Sequence, residues 1–244
     1  MTPKIAWRDD TGGVVEQALR HADSSDLLDC QPFRRPSHYC GQRNRPGEYW
    51  ATTMGAHVIY ESRHELLRLQ IADRSADVTA IAAQPFCLTY IDRKGKDRRH
   101  IPDYMLRHRN GEVVIVNVKP PDWLRRARAP HDPDFPAISH AFAARGWRHE
   151  LWTGVTAVLA ANIRLLAGYR RSWTIDQPIS DAAVAACNAG DTIGSLERRL
   201  AADHAPRLVR PAVLHAIWMQ RLMTDLSTPL EPHSVLRRPG MSGG

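Results

Sequence analysis

Hydrophobic and polar positions follow the clearest pattern in the middle of the chain, between Ser62 and Trp152. Apolar residues at helical spacing and runs rich in β-branched and aromatic residues alternate there. They predict a helix over 62–73, a strand over 78–81 and 86–91, strands over 98–107 and 112–119, a helix over 135–144 and a strand over 147–152. An antiparallel meander followed by a crossover helix is typical of a mixed sheet with helices on its faces. The pattern therefore predicts an α/β fold with an αβββαβ core.

The flanks of this core are less regular. Residues 1–56 contain one possible helix, Val14 to Ala22, and an Arg/Pro-rich stretch over 32–46, so we expect an arm or cap there. An apolar helix is expected from Thr156 to Tyr169, as a bridge to a second unit. Three short helical patterns and two possible wing strands predict a winged-helix-like module over 173–238. The predicted boundaries are 1–56 for the arm, 57–172 for the core domain, 173–238 for the module and 239–244 for a loose tail.

Charge adds a preference for a partner. The formal net charge is +7 across 244 residues, which favours a polyanion, nucleic acid before an anionic membrane, although a basic solvent-exposed surface is the plain alternative. No stretch approaches the roughly 20 apolar residues of a membrane span, and no signal sequence is visible, so we expect a cytoplasmic protein. The four cysteines form no CxxC pair, which argues against disulfides and makes a zinc site with His38 improbable.

Four polar side chains fall inside the predicted apolar elements: Glu65 on the first helix, Asp103 on the second strand, and Asn117 and Lys119 on the third. Carboxylate and amide oxygens suit Mg²⁺, with Mn²⁺ as a substitute, so the first three are candidate metal ligands. Such a cation polarises a phosphate and acidifies water. A lysine beside it can orient or deprotonate that water, because burial tunes its pKa.

Strand geometry restricts how these residues can meet. Asn117 and Lys119 are two positions apart and share one face of a strand. A two-residue turn at Asn110-Gly111 places Asp103 opposite Val118 and splits the site across the sheet. A three-residue turn over 109–111 places Asp103 opposite Asn117, with Gly111 at the left-handed position that such a bulged turn needs. The catalytic interpretation therefore predicts the three-residue turn.

Each candidate also has a purely structural explanation. Ser62-x-x-Glu65 fits a capping box, in which Glu65 serves only the helix start. Asp103 can mark a polar position of an edge strand, and Lys119 can reach solvent from a strand end. Glu61 is an alternative carboxylate, four positions before Glu65.

These residues resemble the PD-(D/E)xK nuclease superfamily. Pro102-Asp103 matches its PD, and Asn117-Val118-Lys119 stands where (D/E)-x-K belongs. Within it the chain is similar over 57–236 to TnsA, the endonuclease subunit of heteromeric transposases. The likeness rests on the helix start over 60–65, on the Val-Asn-Val-Lys-Pro strand end and on the trailing helical module. The resemblance implies a restriction-endonuclease-like fold and a catalytic role for Glu65; Asn117 departs from the acidic residue of the pattern.

The resemblance also implies partners. A TnsA-like subunit hydrolyses the 5′-end strand at each transposon terminus, beside a TnsB-like DDE transposase and a TnsC-like AAA+ ATPase. Arginines of a basic loop and of the C-terminal module are then candidate contacts to DNA or to the regulator, or else a solvated face. They are Arg125, Arg126, Arg128, Arg207, Arg210 and Arg221. Two alternatives stay open: a defence or repair nuclease with the same site, and a DNA-binding or assembly protein whose metal site has decayed.

Overall fold

The fold is mixed α/β with several sheets, and two compact units divide the chain at residues 154 and 155. The computed structural model describes residues 2–34, 45–92, 94–123 and 135–240. Unit 1 contains the helices α1 (Ser24–Leu28), α2 (Arg63–Arg74) and α3 (Phe135–Ala144). Its strands are β1 (Lys4–Arg8), β2 (Val14–Ala18), β3 (Gly47–Ala51), β4 (Ala56–Tyr60), β5 (Val78–Ala83), β6 (Cys87–Ile91), β7 (Asp97–His100), β8 (Tyr104–His108), β9 (Val113–Val118) and β10 (Arg148–Trp152).

The central sheet of unit 1 has the strand order β10-β9-β8-β5. β5, β8 and β9 pair antiparallel, whereas β10 pairs parallel to β9 after a connection that contains α3. One face of the sheet, with Val114 and Val116, packs with Leu69 of α2. The other face, with Ile115, packs with Phe142 of α3. The helix, strand and mixed-sheet predictions for 62–73, 135–144 and 147–152 are thus confirmed.

The hairpin between β8 and β9 has the register that the catalytic interpretation requires. Tyr104 lies opposite Val116 and Arg107 lies opposite Val113, which leaves 109–111 as a three-residue turn. Gly111 adopts a φ of 86°, the left-handed region that favours glycine. Its N–H donates to the carbonyl of His108 at 2.9 Å. The three-residue turn is therefore confirmed.

Two predicted strands are each divided between sheets. The stretch 78–91 forms β5 and β6 on either side of Gln84, whose φ of 48° turns the chain. The stretch 98–107 forms β7 and β8 on either side of Pro102, which has no N–H to give to a sheet. β6 and β7 belong to a second sheet with the order β2-β1-β6-β7.

The N-terminal residues are placed differently from the predicted arm. The predicted helix from Val14 to Ala22 is wrong: β2 ends at Ala18, and a 3₁₀ turn follows over Leu19–His21. β1 pairs with β6, and its Ile5 and Trp7 are buried in the same core as Leu88. This stretch therefore belongs to the sheet structure of unit 1. Its β pairing depends on residues some eighty positions away, which a local pattern does not reveal.

Unit 2 is built from helices around a buried core. They are α4 (Ala157–Ala167), α5 (Gln177–Ala186), α6 (Ile193–Leu200) and α7 (Pro206–Trp218), with a 3₁₀ turn over Ser172–Thr174. Leu166 of α4 is buried with Ile179 and Trp218, so α4 packs within this unit, and the division lies at 154/155 instead of the predicted 172/173.

The predicted wing strands of unit 2 are reduced to isolated bridges, Met223 with Arg237 and Thr192 with Val235. Across the described residues of both units, no helix is long and apolar enough to cross a membrane.

Candidate functional site

Glu65 lies in the first turn of α2, and the helix start fixes its carboxyl group. The Ser62 hydroxyl accepts a hydrogen bond from the Glu65 N–H at 3.1 Å and donates to Glu65 Oε1 at 2.9 Å. The N–H of Glu61 donates to Glu65 Oε2 at 2.7 Å. Glu65 thus takes part in capping. Its carboxyl accepts from the N–H of Glu61, whereas in the usual capping box it would accept from the N–H of the N-cap residue, Ser62.

The Glu65 carboxyl is not an ordinary surface acid. Burial raises its pKa to about 7; the hydrogen bond from Glu61 opposes this, and the negative charge of Asp103 adds to it. Burial therefore disfavours the charged form of Glu65, and a nearby cation would favour that form.

Asp103 lies between β7 and β8, at the end of the central sheet. Its N–H donates to the carbonyl of Val116 at 3.1 Å, and its Oδ2 accepts from the N–H of Val118 at 2.6 Å. Burial raises the pKa of Asp103 to about 6, while the Val118 bond and the positive charge of Lys119 act in the opposite direction. Asp103 is consequently a second desolvated carboxyl beside a cationic side chain.

Three of the four predicted residues thus come together electrostatically. The charge of Asp103 acts on Glu65, and the charge of Lys119 acts on Asp103. Lys119 follows β9 directly, its N–H donates to the carbonyl of Trp152 at 2.9 Å, and its side chain is half-buried. We call Glu65 and Asp103 the carboxylate pair.

Asn117 joins a different group. Strand alternation places it on the α3 face of the sheet with Ile115, and its side chain is buried. Asn117 Oδ1 lies 3.2 Å from His100 Nε2 and 3.2 Å from His149 Nε2. Asn117 Nδ2 lies 2.9 Å from His100 Nε2. We call His100, Asn117 and His149 the imidazole cluster; the amide that was expected to share a cation with Asp103 is engaged there.

The surroundings of His149 hold its ring in place. Phe135 stacks on the imidazole at 4.4 Å between centroids, and Phe142 meets it edge-on at 5.2 Å. Ser139 Oγ lies 2.8 Å from His149 Nδ1. Burial lowers the pKa of His149 to about 4, and the charge of His100 acts in the same direction. His149 is therefore neutral at physiological pH.

Two ion pairs that involve α2 and the residue before its N-cap were not predicted from the sequence. Arg68 donates to Glu150 at 2.9 and 3.1 Å, and Arg34 pairs with Glu61 at 2.8 Å. Glu61 precedes the N-cap of α2 instead of lying on the helix. The sequence signal for Arg68 was an arginine between the apolar positions of a helix.

Tyr104 is a further residue that the sequence analysis passed over. Its hydroxyl is buried without a hydrogen-bond partner. Burial raises the pKa of Tyr104, and the charge of Glu65 adds to this shift. The hydroxyl therefore lies within the electrostatic reach of the carboxylate pair.

The predicted arginine contacts are placed as follows. Arg125, Arg126 and Arg128 lie outside the described residues. In unit 2, Arg210 donates to Glu197 at 3.0 Å and Arg221 donates to Asp181 at 2.6 Å, while Arg207 is exposed. Two of these three module arginines are thus neutralised by an acidic neighbour.

Within the described part of the chain, no three His, Cys, Asp or Glu side chains form a group that could hold a metal ion. The carboxylate pair supplies two acidic groups and the imidazole cluster two imidazoles. No protein-family model matches this chain, and the curated proteins contain no significant match to it.

Proposed function

We propose that this protein is a metal-dependent DNA endonuclease of the PD-(D/E)xK type, acting as a TnsA-like subunit of a heteromeric transposase. The observation that carries the proposal is the carboxylate pair beside Lys119, with the pKa of each carboxyl raised by burial. Two half-buried acids and a lysine at one end of a sheet are the groups that phosphodiester hydrolysis needs.

The architecture supports this assignment. α2, β5, β8, β9, α3 and β10 stand in the αβββαβ order, with β6 and β7 of the second sheet inserted between β5 and β8, and β10 is parallel to β9. Asp103 comes just before β8 and Lys119 just after β9. The hairpin therefore brings the PD and the xK parts of the sequence pattern to the same end of the sheet. We therefore propose a restriction-endonuclease-like core for unit 1 and a winged-helix-like role for unit 2.

The donor set of the carboxylate pair fits a hard divalent cation. Glu65 and Asp103 would hold Mg²⁺, or Mn²⁺ in its place, through carboxylate oxygens. When bound, the cation supplies a Lewis acid for the phosphate and an acidified water. Lys119 orients the attacking water and stabilises negative charge on the phosphate. Asn117 occupies the third ligand position of the pattern, but its amide contacts two imidazoles, so we assign the cation to the two carboxylates.

The proposed substrate is DNA at transposon ends, where this subunit cuts the 5′-end strand. The proposed partners are a TnsB-like DDE transposase, which processes the 3′ ends, and a TnsC-like AAA+ regulator. The net charge of +7 supports a nucleic-acid substrate. Among the described arginines, Arg207 is the proposed phosphate contact of unit 2, because Arg210 and Arg221 already pair with acids.

Cleavage by a Lys119→Ala variant tests the proposal. Parent and variant are compared on a transposon-end DNA substrate with Mg²⁺, together with the proposed TnsB-like partner transposase. Lys4→Ala is the matched control, because Lys4 is exposed and pairs with exposed Glu16. We expect the variant to lose about 100-fold or more in 5′-strand cleavage, and the control to cut like the parent. Equal cleavage by Lys119→Ala and the parent would remove the assignment.

A second candidate function is that of a non-catalytic DNA-binding or assembly subunit. The observation that favours it is Asn117, a neutral amide already engaged by two histidines, which lowers the negative charge available for a cation. In that case the parent binds end DNA and supports the partner transposase, yet cuts the 5′ strand no better than Lys119→Ala does.

A further inference from the structure

The imidazole cluster brings three donor atoms to one point on the α3 face of the central sheet. They are His100 Nε2, His149 Nε2 and Asn117 Oδ1, and the amide oxygen is 3.2 Å from each nitrogen. His100 comes from the end of β7, Asn117 from β9 and His149 from β10. Three separate strands therefore contribute polar atoms that contact one another on the α3 side of the sheet.

These separations match the edges of a metal polyhedron. Bonds of about 2.0–2.1 Å from a tetrahedral metal to nitrogen or oxygen put neighbouring ligands about 3.3 Å apart. Both edges that share Asn117 Oδ1 are 3.2 Å. These two distances are compatible with one ion bound by the amide oxygen and the two imidazoles.

We propose that His100, Asn117 and His149 bind a divalent transition-metal ion of the Zn²⁺, Co²⁺ or Ni²⁺ class, at a site separate from the carboxylate pair. Imidazole nitrogen favours these ions over Mg²⁺. Three protein ligands leave a fourth position for water or another small ligand, as in non-structural zinc sites. His100 is half-buried, so the cluster is reached from solvent.

The neighbours of His149 support a ligand role. Phe135 and Phe142 fix the ring, and Ser139 Oγ is 2.8 Å from Nδ1. With a metal on Nε2, the proton of His149 resides on Nδ1 and is donated to Ser139, the outer hydrogen bond that metal-bound histidines usually make. Without a metal, Nε2–H donates to Asn117 and the Ser139 hydroxyl donates to Nδ1. The two states thus differ in the tautomer of His149.

Cobalt titration of the full chain tests this site, because tetrahedral Co²⁺ absorbs visible light. We expect the parent to show a saturable absorption band, and His100→Gln and His149→Gln to weaken the affinity by about tenfold or more. His140→Gln is the matched control: His140 is exposed and lies beside Ser139 on α3. We expect this control to bind like the parent. Glu65→Gln distinguishes the two sites, because this change would lower the affinity for cobalt bound at the carboxylate pair.

Two outcomes overturn the inference: a parent that binds no cobalt at micromolar concentration, and histidine variants that bind it as tightly as the parent. Circular dichroism shows which variants fold, and half-buried His100 provides the test if His149→Gln unfolds. Nitrogen NMR gives an independent readout, because Zn²⁺ must move the proton of His149 from Nε2 to Nδ1. The inference stands apart from DNA cleavage, so failure of the Lys119→Ala test leaves it unaffected.

Discussion

Two polar groups of opposite character lie around β9. The carboxylate pair consists of hard oxygen donors whose pKa values are raised by burial, to about 7 for Glu65 and about 6 for Asp103. The imidazole cluster consists of two imidazoles and an amide, and each contacts another member of the cluster within 3.2 Å. The carboxylate pair carries charge that burial disfavours, whereas the polar atoms of the imidazole cluster have contacts with one another.

This difference separates two kinds of metal chemistry. A pair of desolvated carboxyls gains from any divalent charge and favours Mg²⁺. Imidazole nitrogens with an amide oxygen bring no charge and favour transition metals. Asn117 belongs to the strand that links both groups, so a substitution there bears on each of them.

The largest expected effect follows from removing charge from the carboxylate pair. Asp103→Asn keeps the shape of the side chain but removes a charged ligand, so we expect 5′-strand cleavage in Mg²⁺ to fall about 100-fold or more. Asp97→Asn, at an exposed position of β7, is the control that should cut normally. The measurement is single-turnover cleavage with the partner transposase present. Full activity of Asp103→Asn would leave the carboxylate pair without a catalytic role.

The next effect concerns the support of α2. Arg68 makes two hydrogen bonds to Glu150, and its side chain is 9% exposed. Arg68→Met removes the cation and leaves Glu150 without its main partner, so we expect a loss of about 3 kcal/mol in the free energy of unfolding. Urea denaturation measures it. Lys4→Met, at an exposed pair with Glu16, should cost less than about 1 kcal/mol. Equal losses in both variants would contradict the buried role of Arg68.

An intermediate effect is expected from Asn117→Asp. The new carboxylate adds one negative charge within reach of His100 and His149, so transition-metal affinity should increase about tenfold. Calorimetric titration with Zn²⁺ measures the change, and the same titration with Mg²⁺ reports on the carboxylate pair. Unchanged affinity for both ions would mean that residue 117 contacts neither cation.

The smallest effect is a pH dependence of stability. The folded-state pKa of Glu65 is about 7 against an ordinary value of 4.5, so the folded chain binds the extra proton between these limits. The stability contributed by protonated Glu65 is fully present below pH 4.5 and is lost as the pH rises through 7. We compare the fall in melting temperature between pH 5 and pH 8 in the absence of divalent ions. We expect this fall to be smaller for Glu65→Gln than for the parent, by a few degrees. An equal fall in melting temperature for both proteins would contradict the contribution of Glu65 to the pH dependence.

Local chemistry made part of this fold predictable. Ser62 caps α2 within three residues of Glu65, and Gly111 supplies the left-handed turn that sets the β8–β9 register. Both signals lie next to the structure that they specify, so the helix start and the hairpin followed from the sequence. The same hairpin brings Asp103 and Lys119 to the same end of the sheet.

Other features depend on contacts between distant residues. His100 and His149 lie 17 and 32 positions from Asn117, and neither stands in a spacing that marks a ligand pair. β1 finds its partner β6 far along the chain, and β6 and β7 join β1 and β2 in a second sheet. No local propensity encodes such pairings.

The sequence by itself determined the helices near 62–73 and 135–144, the strand at 147–152, the turn at Gly111 and the candidate acids Glu65 and Asp103. Only the tertiary structure decided that Asn117 joins two histidines, because strand alternation and the packing of α3 set which groups a buried amide can reach. Hydrogen bonding of a buried polar group is a property of its surroundings, and those surroundings are assembled from remote parts of the chain.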